Sequence, residues 1–321
     1  MPLGLKTAVL KDPKEAKHFD GFASACGYKS DAEWNLIDLI RDEPNFTLLM
    51  SKPVEGLLHA DSHPEHITGV RLANGTSHSA PIVVLAAGAM SSPRLLEDYL
   101  AETGLGASLP CAKVVGTNFR LHINSAVLGF GWIKDSDVLR KTAILFNDAY
   151  PHSSIQCLGW LDGEVLGAQL PAAIPQFVDN VLGAHAIGFF AITEDGSSPQ
   201  NCIVSGGKTG PATMDYSLDR IKAARDEHEA SLRAFLLALL EAGFPGAQRY
   251  AGLAGTAHAA GTLVTGTDPA TSVVDANGKV HGLEGLYVGD GSILPRSSRV
   301  NPSLTIYAWG LRLGDHLAAL S

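Results

Sequence analysis

The chain has 321 residues, 45% of them hydrophobic and 18% charged, with a formal net charge of −9. This is the composition of a globular chain, long enough for one large domain or two modest ones, and it excludes a disordered one. A negative balance without a long basic run argues against a nucleic-acid partner, and apolar runs such as VVLAAGAM and AFLLALL fall short of a membrane span.

The N-terminus, MPLGLKTAVLKDPKEAK, lacks the charged-then-apolar pattern of a secretory signal, so the cytoplasm is the default compartment. The 4 cysteines (Cys26, Cys111, Cys157, Cys202) are far apart and form no C-x-x-C, which predicts reduced thiols and no zinc site. His63 and His66 lack a third ligand for a metal. Residues 1–30 read as irregular. Ser30-Asp31 before Ala32–Arg41 reads as a capped helix with Trp34, Ile37, Leu39 and Ile40 on an apolar side, ended by Pro44-Asn45. Phe46–Met50 and Pro53–His59 read as strands, the second followed by the polar turn HADSHPEH. Ile67–Leu72, a turn at Asn74-Gly75 and His78–Leu85 read as a hairpin.

Ile82–Met90 reads as a buried strand of parallel type, running through the small residues Ala87, Gly88 and Ala89 into a helix at Ser92–Leu100. A plain β–α unit has this pattern, and small residues at such a turn also let a backbone approach a cofactor. The composition changes after Val115-Gly116-Thr117-Asn118 and His122. Ser125–Ile133, Ser154–Trp160, Ala184–Thr193 and Asn201–Val204 then read as strands of an antiparallel sheet. Asp215-Tyr216-Ser217 leads into a long helix, Leu218–Ala242, with Ile221, Leu232, Phe235, Leu236 and Leu239 facing one way and Gly243 ending it. His228 on that helix reads as structural.

The last stretch carries the most chemistry. His258 sits in the small-residue loop AHAAGT, and an imidazole with a pKa of about 6.5 exchanges a proton near neutrality. A short strand, Gly285–Val288, ends in VGDGS around Asp290. A helix starts near Pro302, a residue suited to a first helical turn, and leaves the N–H groups of Ser303 and Leu304 at a positive helix end. Asn301 before it reads either as a cap or as a ligand contact.

His258–Thr262 (H-x-x-G-T), Asp268–Asp275 (D-P-x-x-S-V-V-D), Asp290–Ser292 (D-G-S) and Asn301–Thr305 (N-P-x-x-T) stand in an order and spacing that resemble the C-terminal signature of the glucose–methanol–choline (GMC) oxidoreductases. Ala87-Gly88-Ala89 with Ser92–Leu96 resembles a second family signature, although EDYLAETGLG replaces the S-G-I-G that normally follows, and Val115-Gly116-Thr117-Asn118 followed by His122 resembles the family's V-G-x-N…H turn, where the chain leaves the FAD domain. Thr265 stands where a Met is usual, a change expected to affect packing more than chemistry. The resemblance implies an α/β fold with α+β elements, in which a partial FAD-binding three-layer domain carries an inserted antiparallel-sheet substrate domain. Residues 1–122 would be the remainder of the FAD-binding domain, 123–250 the substrate-binding domain, and 251–321 the return to the FAD-binding domain.

The resemblance also implies roles. His258 would take the hydroxyl proton of an alcohol or sugar, Asn301 would hydrogen-bond the substrate oxygen, and hydride would pass from the alcohol carbon to flavin N5. Asp290 and Gly291 would contact the ribityl–diphosphate part of FAD. Ala87 and Gly88 would lie at the cofactor, Val54 at its adenine as a backbone contact, and Asn301, Ser303 and Leu304 near the flavin N1–C2 oxygen.

One family element has no counterpart. The strand–G-x-G-x-x-G–helix unit that binds the FAD diphosphate is absent, and SGGKTG (Ser205–Gly210) has neither that spacing nor a Walker spacing. Without that strand, Ile82–Leu85 would have an unpaired edge and an uncovered apolar face. The expectation is therefore a half enzyme completed by a separate chain carrying the N-terminal segment, or by self-association. The other reading is a non-catalytic remnant or interaction subunit that does not bind FAD alone. A nicotinamide dehydrogenase has no fingerprint to support it.

Overall fold

The computed structural model describes residues 6–17, 24–132, 143–158, 176–207, 210–253 and 258–320, so Phe19–Phe22, Ile133, Trp160 and Gly255–Ala257 from the expectations above lie outside it. The chain forms two units. One comprises Ser51–Ile123, Thr193–Glu227 and Gly255–Ser321, the other Met1–Met50, Asn124–Ile192 and His228–Ala254.

In the first unit, β1 (Val54–Ala60), β2 (His63–Leu72) and β3 (Ser77–Ser79) form an antiparallel sheet in that order. The β1–β2 turn is shorter than HADSHPEH suggests. Ser62 takes φ +63° and closes it, and His63–His66 continue β2. The expected strand His78–Leu85 is split by Pro81, which has no N–H for a ladder. Ser77–Ser79 stays with β2, whereas β4 (Val83–Leu85) pairs in parallel with Leu286–Val288. Val83 and Leu85 face the core and Val84 is 40% exposed, so β4 is buried on one face only, and Leu286–Val288 is its one ladder partner among the described residues. This is the uncovered face expected for that strand.

α1 (Gly88–Thr103) starts four residues before the expected Ser92, so Pro93 lies inside it. Gly104 ends it in the left-handed conformation, φ +76°. β5 (His122–Phe130), β6 (Ile144–Leu145), β7 (Ser153–Cys157) and β8 (Ala186–Glu194) occupy three of the expected strand regions, with β6 additional. β9 (Cys202–Val204) and β10 (Thr213–Asp215) form a separate antiparallel pair. Ser217 Oγ accepts from Asp219 N and opens a 3-10 turn that continues into α2 (Lys222–Glu241), and Gly243 follows it at φ +86°. β11 (Gly246–Tyr250) completes a five-stranded sheet of order β11-β5-β8-β7-β6, in which β11–β5 and β6–β7 are antiparallel. β12 is Leu286–Val288, and α3 is Ser303–Ala318.

The core of the first unit gathers Val83, Leu85, Leu96, Val273, Val274, Leu286, Val288 and Ile293, with Ile306 and Trp309 of α3 packed on it. The Trp309 indole donates to Val288 O at 3.0 Å. The opposite stripe of α3, Leu304, Tyr307 and Leu311, is exposed.

The core of the other unit is Val127, Ile155, Phe189, Ala191, Leu232 and Leu239. His228 is buried there with its Nε2 2.9 Å from Ser125 Oγ, and burial pushes its pKa down to about 4. A neutral buried imidazole favours the fold while the unfolded chain is also neutral, above its ordinary pKa of about 6.5. As pH falls from about 6.5 to about 4 the unfolded chain takes up the proton first, and up to roughly 3 kcal/mol of stability is lost. Unfolding midpoints measured across that window should fall, and His228→Gln should flatten the slope.

Three expectations near the N-terminus are corrected. Asp31 Oδ1 does cap Trp34 N at 2.8 Å, but the helix is a π-helical turn, Glu33–Ile37, followed by Asp38–Ile40, and Trp34, Leu39 and Ile40 are exposed. Phe46–Met50 has no ladder partner among the described residues and is no strand, because apolar content alone does not supply a neighbouring edge. Residues 1–30, expected irregular, contain a 3-10 turn at Thr7–Lys11 and a helical turn at Pro13–Lys17.

Candidate active site

Two segments of the first unit, Ala87–Ser92 and Asp290–Ser292, meet at Asp290. Its Oδ2 accepts from Gly88 N at 2.9 Å and from Ser92 Oγ, and its Oδ1 accepts from Ser292 N at 2.8 Å and from Ser292 Oγ. Ser92 Oγ in turn accepts from Ala87 N at 3.0 Å. Asp290 is therefore the carboxylate cap of α1, supplied from 202 positions along the chain. This cap draws the helix start back to Gly88, which takes φ +82°.

The segment after His258 is stitched into the same place. Thr262 Oγ1 donates to Ala89 O at 2.8 Å, and Leu263 N donates to Ser292 O at 2.9 Å. Thr265, at the family's Met position, is held by its N–H to Ile293 O at 3.1 Å, and its buried Oγ1 has no hydrogen-bond partner. Gly261 takes φ +87°, and a Cβ there would lie 2.5 Å from Asn118 O. Gly261→Ala combines a left-handed penalty of about 1–2 kcal/mol with that backbone clash, so a loss of at least about 2 kcal/mol is expected in denaturant unfolding.

Arg120 and Ala260 form an antiparallel bridge, with both N–H···O bonds made (3.0 and 3.1 Å). In that register His122, at the start of β5, faces His258. The two Nδ1 atoms are 3.0 Å apart, and the rings meet edge to face with centroids at 4.9 Å. His258 itself is at φ +74°, a conformation uncommon outside glycine. His122 is buried, its Nε2 is 3.1 Å from Ser297 O, and burial lowers its pKa. Around it stand two acids. Glu194 forms a two-pronged pair with Arg296 (2.8 and 2.6 Å). Asp195 accepts from Ser197 N, Leu121 N and Tyr216 Oη, with burial raising its pKa. Arg120 is buried among them, and its Nε has no partner.

The remaining expected residues fall around this centre. Gly291 lies against α3, since a Cβ there would be 3.0 Å from Ile306 Cδ1. Asn301 is exposed ahead of Pro302, which is the cap residue of α3 and makes no side-chain hydrogen bond to that helix. Ser303 and Leu304, also exposed, occupy its first turn. Val54 is at the first position of β1, where it pairs with Leu72. Sequence reasoning noted His122 as part of a turn and missed its pairing with His258. The Arg120–Ala260 register is the signal that finds it, and it exists only in three dimensions.

These groups can be tested against a flavin. The start of a 16-residue helix, beside the Gly291 loop, offers first-turn N–H groups to an electron-rich carbonyl edge. A Cβ on Gly88 would meet nothing within 4 Å, so the α1 turn opens onto free space, although the N–H groups of Ala87 and Gly88 and the Asp290 carboxylate are already used within the protein. The α3 end fits the flavin, and contact at the α1 end would go through surfaces other than those N–H groups. Among the described residues no group of His, Cys, Asp and Glu could hold a metal, and no helix is long and apolar enough to cross a membrane.

A parallel β4–β12 pair leading into α1, an antiparallel sheet and a histidine loop define a mixed α/β fold, and solved oxidoreductases share it. Pyridoxine 4-oxidase from Mesorbium loti aligns over 89% of this chain and 60% of its own, with a TM-score of 0.66 at 20% identity. Formate oxidase aligns over 98% of this chain and 70% of its own, with a TM-score of 0.65 at 13% identity. Residues 222–310 match the C-terminal model of the family described as GMC oxidoreductase. In sequence it is 48% identical over 69 residues to 6'''-hydroxyparomomycin C oxidase of Streptomyces lividus and 47% identical over 64 residues to paromamine 6'-oxidase of Streptomyces fradiae. Those stretches cover 20% of this chain and only 13% and 12% of the two relatives.

Proposed function

We propose that the chain supplies the catalytic residues of an FAD-dependent enzyme that oxidises an alcohol or sugar hydroxyl. The observation that carries this reading is His258, held in an uncommon left-handed loop conformation against a buried second imidazole. The names of the relatives support it, since oxidases of paromamine, of hydroxyparomomycin and of pyridoxine each take an alcohol-bearing molecule.

When bound, FAD accepts the hydride released from the alcohol carbon. His258 takes the hydroxyl proton, and Asn301 hydrogen-bonds the substrate oxygen. The N–H groups of Ser303 and Leu304 stabilise negative charge at the flavin N1–C2 oxygen. Asp290 acts chiefly by holding Gly88 and the Gly291 loop in place, with Gly291, Ala87, Gly88 and Val54 at the FAD surface. Residues 123–250 cover the substrate, while 1–122 and 251–321 belong to the FAD-binding part.

No part of the 321 residues carries a G-x-G-x-x-G loop. The FAD diphosphate would then be held by residues outside these 321, and the exposed Val84, Leu304 and Leu311 are apolar surface that such a segment would cover. A screen of primary alcohols, aminoglycosides and sugars with a dye acceptor tests the proposal. Turnover with any of them that depends on FAD supports it. A flavin-loaded protein inert towards the whole panel would overturn it.

A further inference from the structure

The family resemblance places His122 only in the V-G-x-N…H turn and gives it no role in the reaction, yet it is the side chain the fold sets against His258. Its Nε2 faces the carbonyl oxygen of Ser297 at 3.1 Å, and a carbonyl oxygen only accepts. The proton of a neutral His122 is therefore on Nε2, and its Nδ1 carries a lone pair. Burial favours the neutral ring, against the opposing pull of the Ser297 and Ser298 backbone and of Glu194 and Asp195. That lone pair is 3.0 Å from His258 Nδ1, so the hydrogen bond between the rings requires His258 to hold its own proton on Nδ1.

We propose that His122 is a positioning residue that fixes His258 as the Nδ1–H tautomer and orients its ring, leaving the Nε2 lone pair as the atom that accepts the substrate's hydroxyl proton. The chain Ser297 O, His122, His258 then acts as a one-way series of hydrogen bonds: a fixed acceptor at one end sets a proton acceptor at the other. The backbone supports it, because the Arg120–Ala260 bridge sets the pairing register and the left-handed His258 turns its ring toward β5. A free imidazole favours the other tautomer, so the structure does something here that the residue does not do unaided. The functional meaning rests on the reading of His258 as the base, whereas the tautomer stands independently of it.

The test is two-bond nitrogen–proton NMR of the full chain labelled with ¹⁵N-histidine, at a pH where the rings are neutral. The expected pattern places the His258 proton on Nδ1 in the native protein. It should move to Nε2 in His122→Phe and return to Nδ1 in His122→Asn, whose amide oxygen can stand where the imidazole Nδ1 stood. A native His258 protonated on Nε2, or an Nδ1–H signal that survives His122→Phe, would overturn the proposal without any need for flavin. In the loaded enzyme His122→Phe should lower kcat about 10- to 100-fold with KM little changed, as expected for misaligned general-base catalysis, and His122→Asn should recover most of it. Failure of the base reading would show separately, as His258→Ala with undiminished turnover alongside an intact NMR pattern.

Discussion

His258→Ala should lower turnover of the flavin-loaded enzyme about 10²–10⁴-fold, the usual contribution of a positioned general base. Flavin content should not change, because the loop is held by backbone bonds that do not involve the imidazole. Those bonds run from Arg120 to Ala260 on one side and from Leu263 to Ser292 on the other. A structural role for His258 would show instead as lost flavin or a lowered unfolding midpoint. Steady-state turnover with a dye acceptor, compared with absorbance per protein before and after desalting, separates the two. The expected loss lies in kcat, since the alcohol still binds while its proton has no acceptor.

Asp290→Ala should be the most destabilising single change in the first unit, at about 3–5 kcal/mol. The carboxylate accepts from two backbone N–H groups and two hydroxyls while only 8% exposed. The serines can turn their hydroxyls elsewhere, but Ser292 N is buried and Gly88 N part-buried, and a buried amide without an acceptor costs about 1–3 kcal/mol, less where water reaches it. Release of the buried charge offsets part of this. Asp290→Asn should fall between native and Ala, since one amide oxygen remains and the amide nitrogen opposes an N–H donor. Denaturant unfolding is the measurement. A loss below about 1 kcal/mol for Asp290→Ala would mean that the loops hold together without the carboxylate, well under the cost of an unsatisfied buried amide.

Asp290 also shows where the sequence was legible and where it was not. The D-G-S motif, the small residues at Ala87–Ala89 and the helix that follows were all visible, as was the strand Gly285–Val288 that meets β4. What the sequence could not show is that one motif caps the helix of the other across 202 positions, which moved the start of α1 to Gly88 and engaged the Gly88 N–H within the protein. Local patterns placed β1, β5, β8 and α2 because their periodicity is local. They failed for Phe46–Met50, where an apolar run has no partner, and for His78–Leu85, where Pro81 sends two halves to two sheets. His122 was seen as punctuation in a turn, and only the Arg120–Ala260 register makes it the neighbour of His258.

The most direct test of the account is the anaerobic absorbance spectrum of the purified protein with FAD and its complementing segment present, before and after addition of the alcohol and sugar panel. The account predicts flavin bands that survive desalting and bleach with at least one alcohol in the native protein, and bleach far more slowly in His258→Ala. A desalted protein without flavin, or bleaching at the same rate in both proteins, would contradict it.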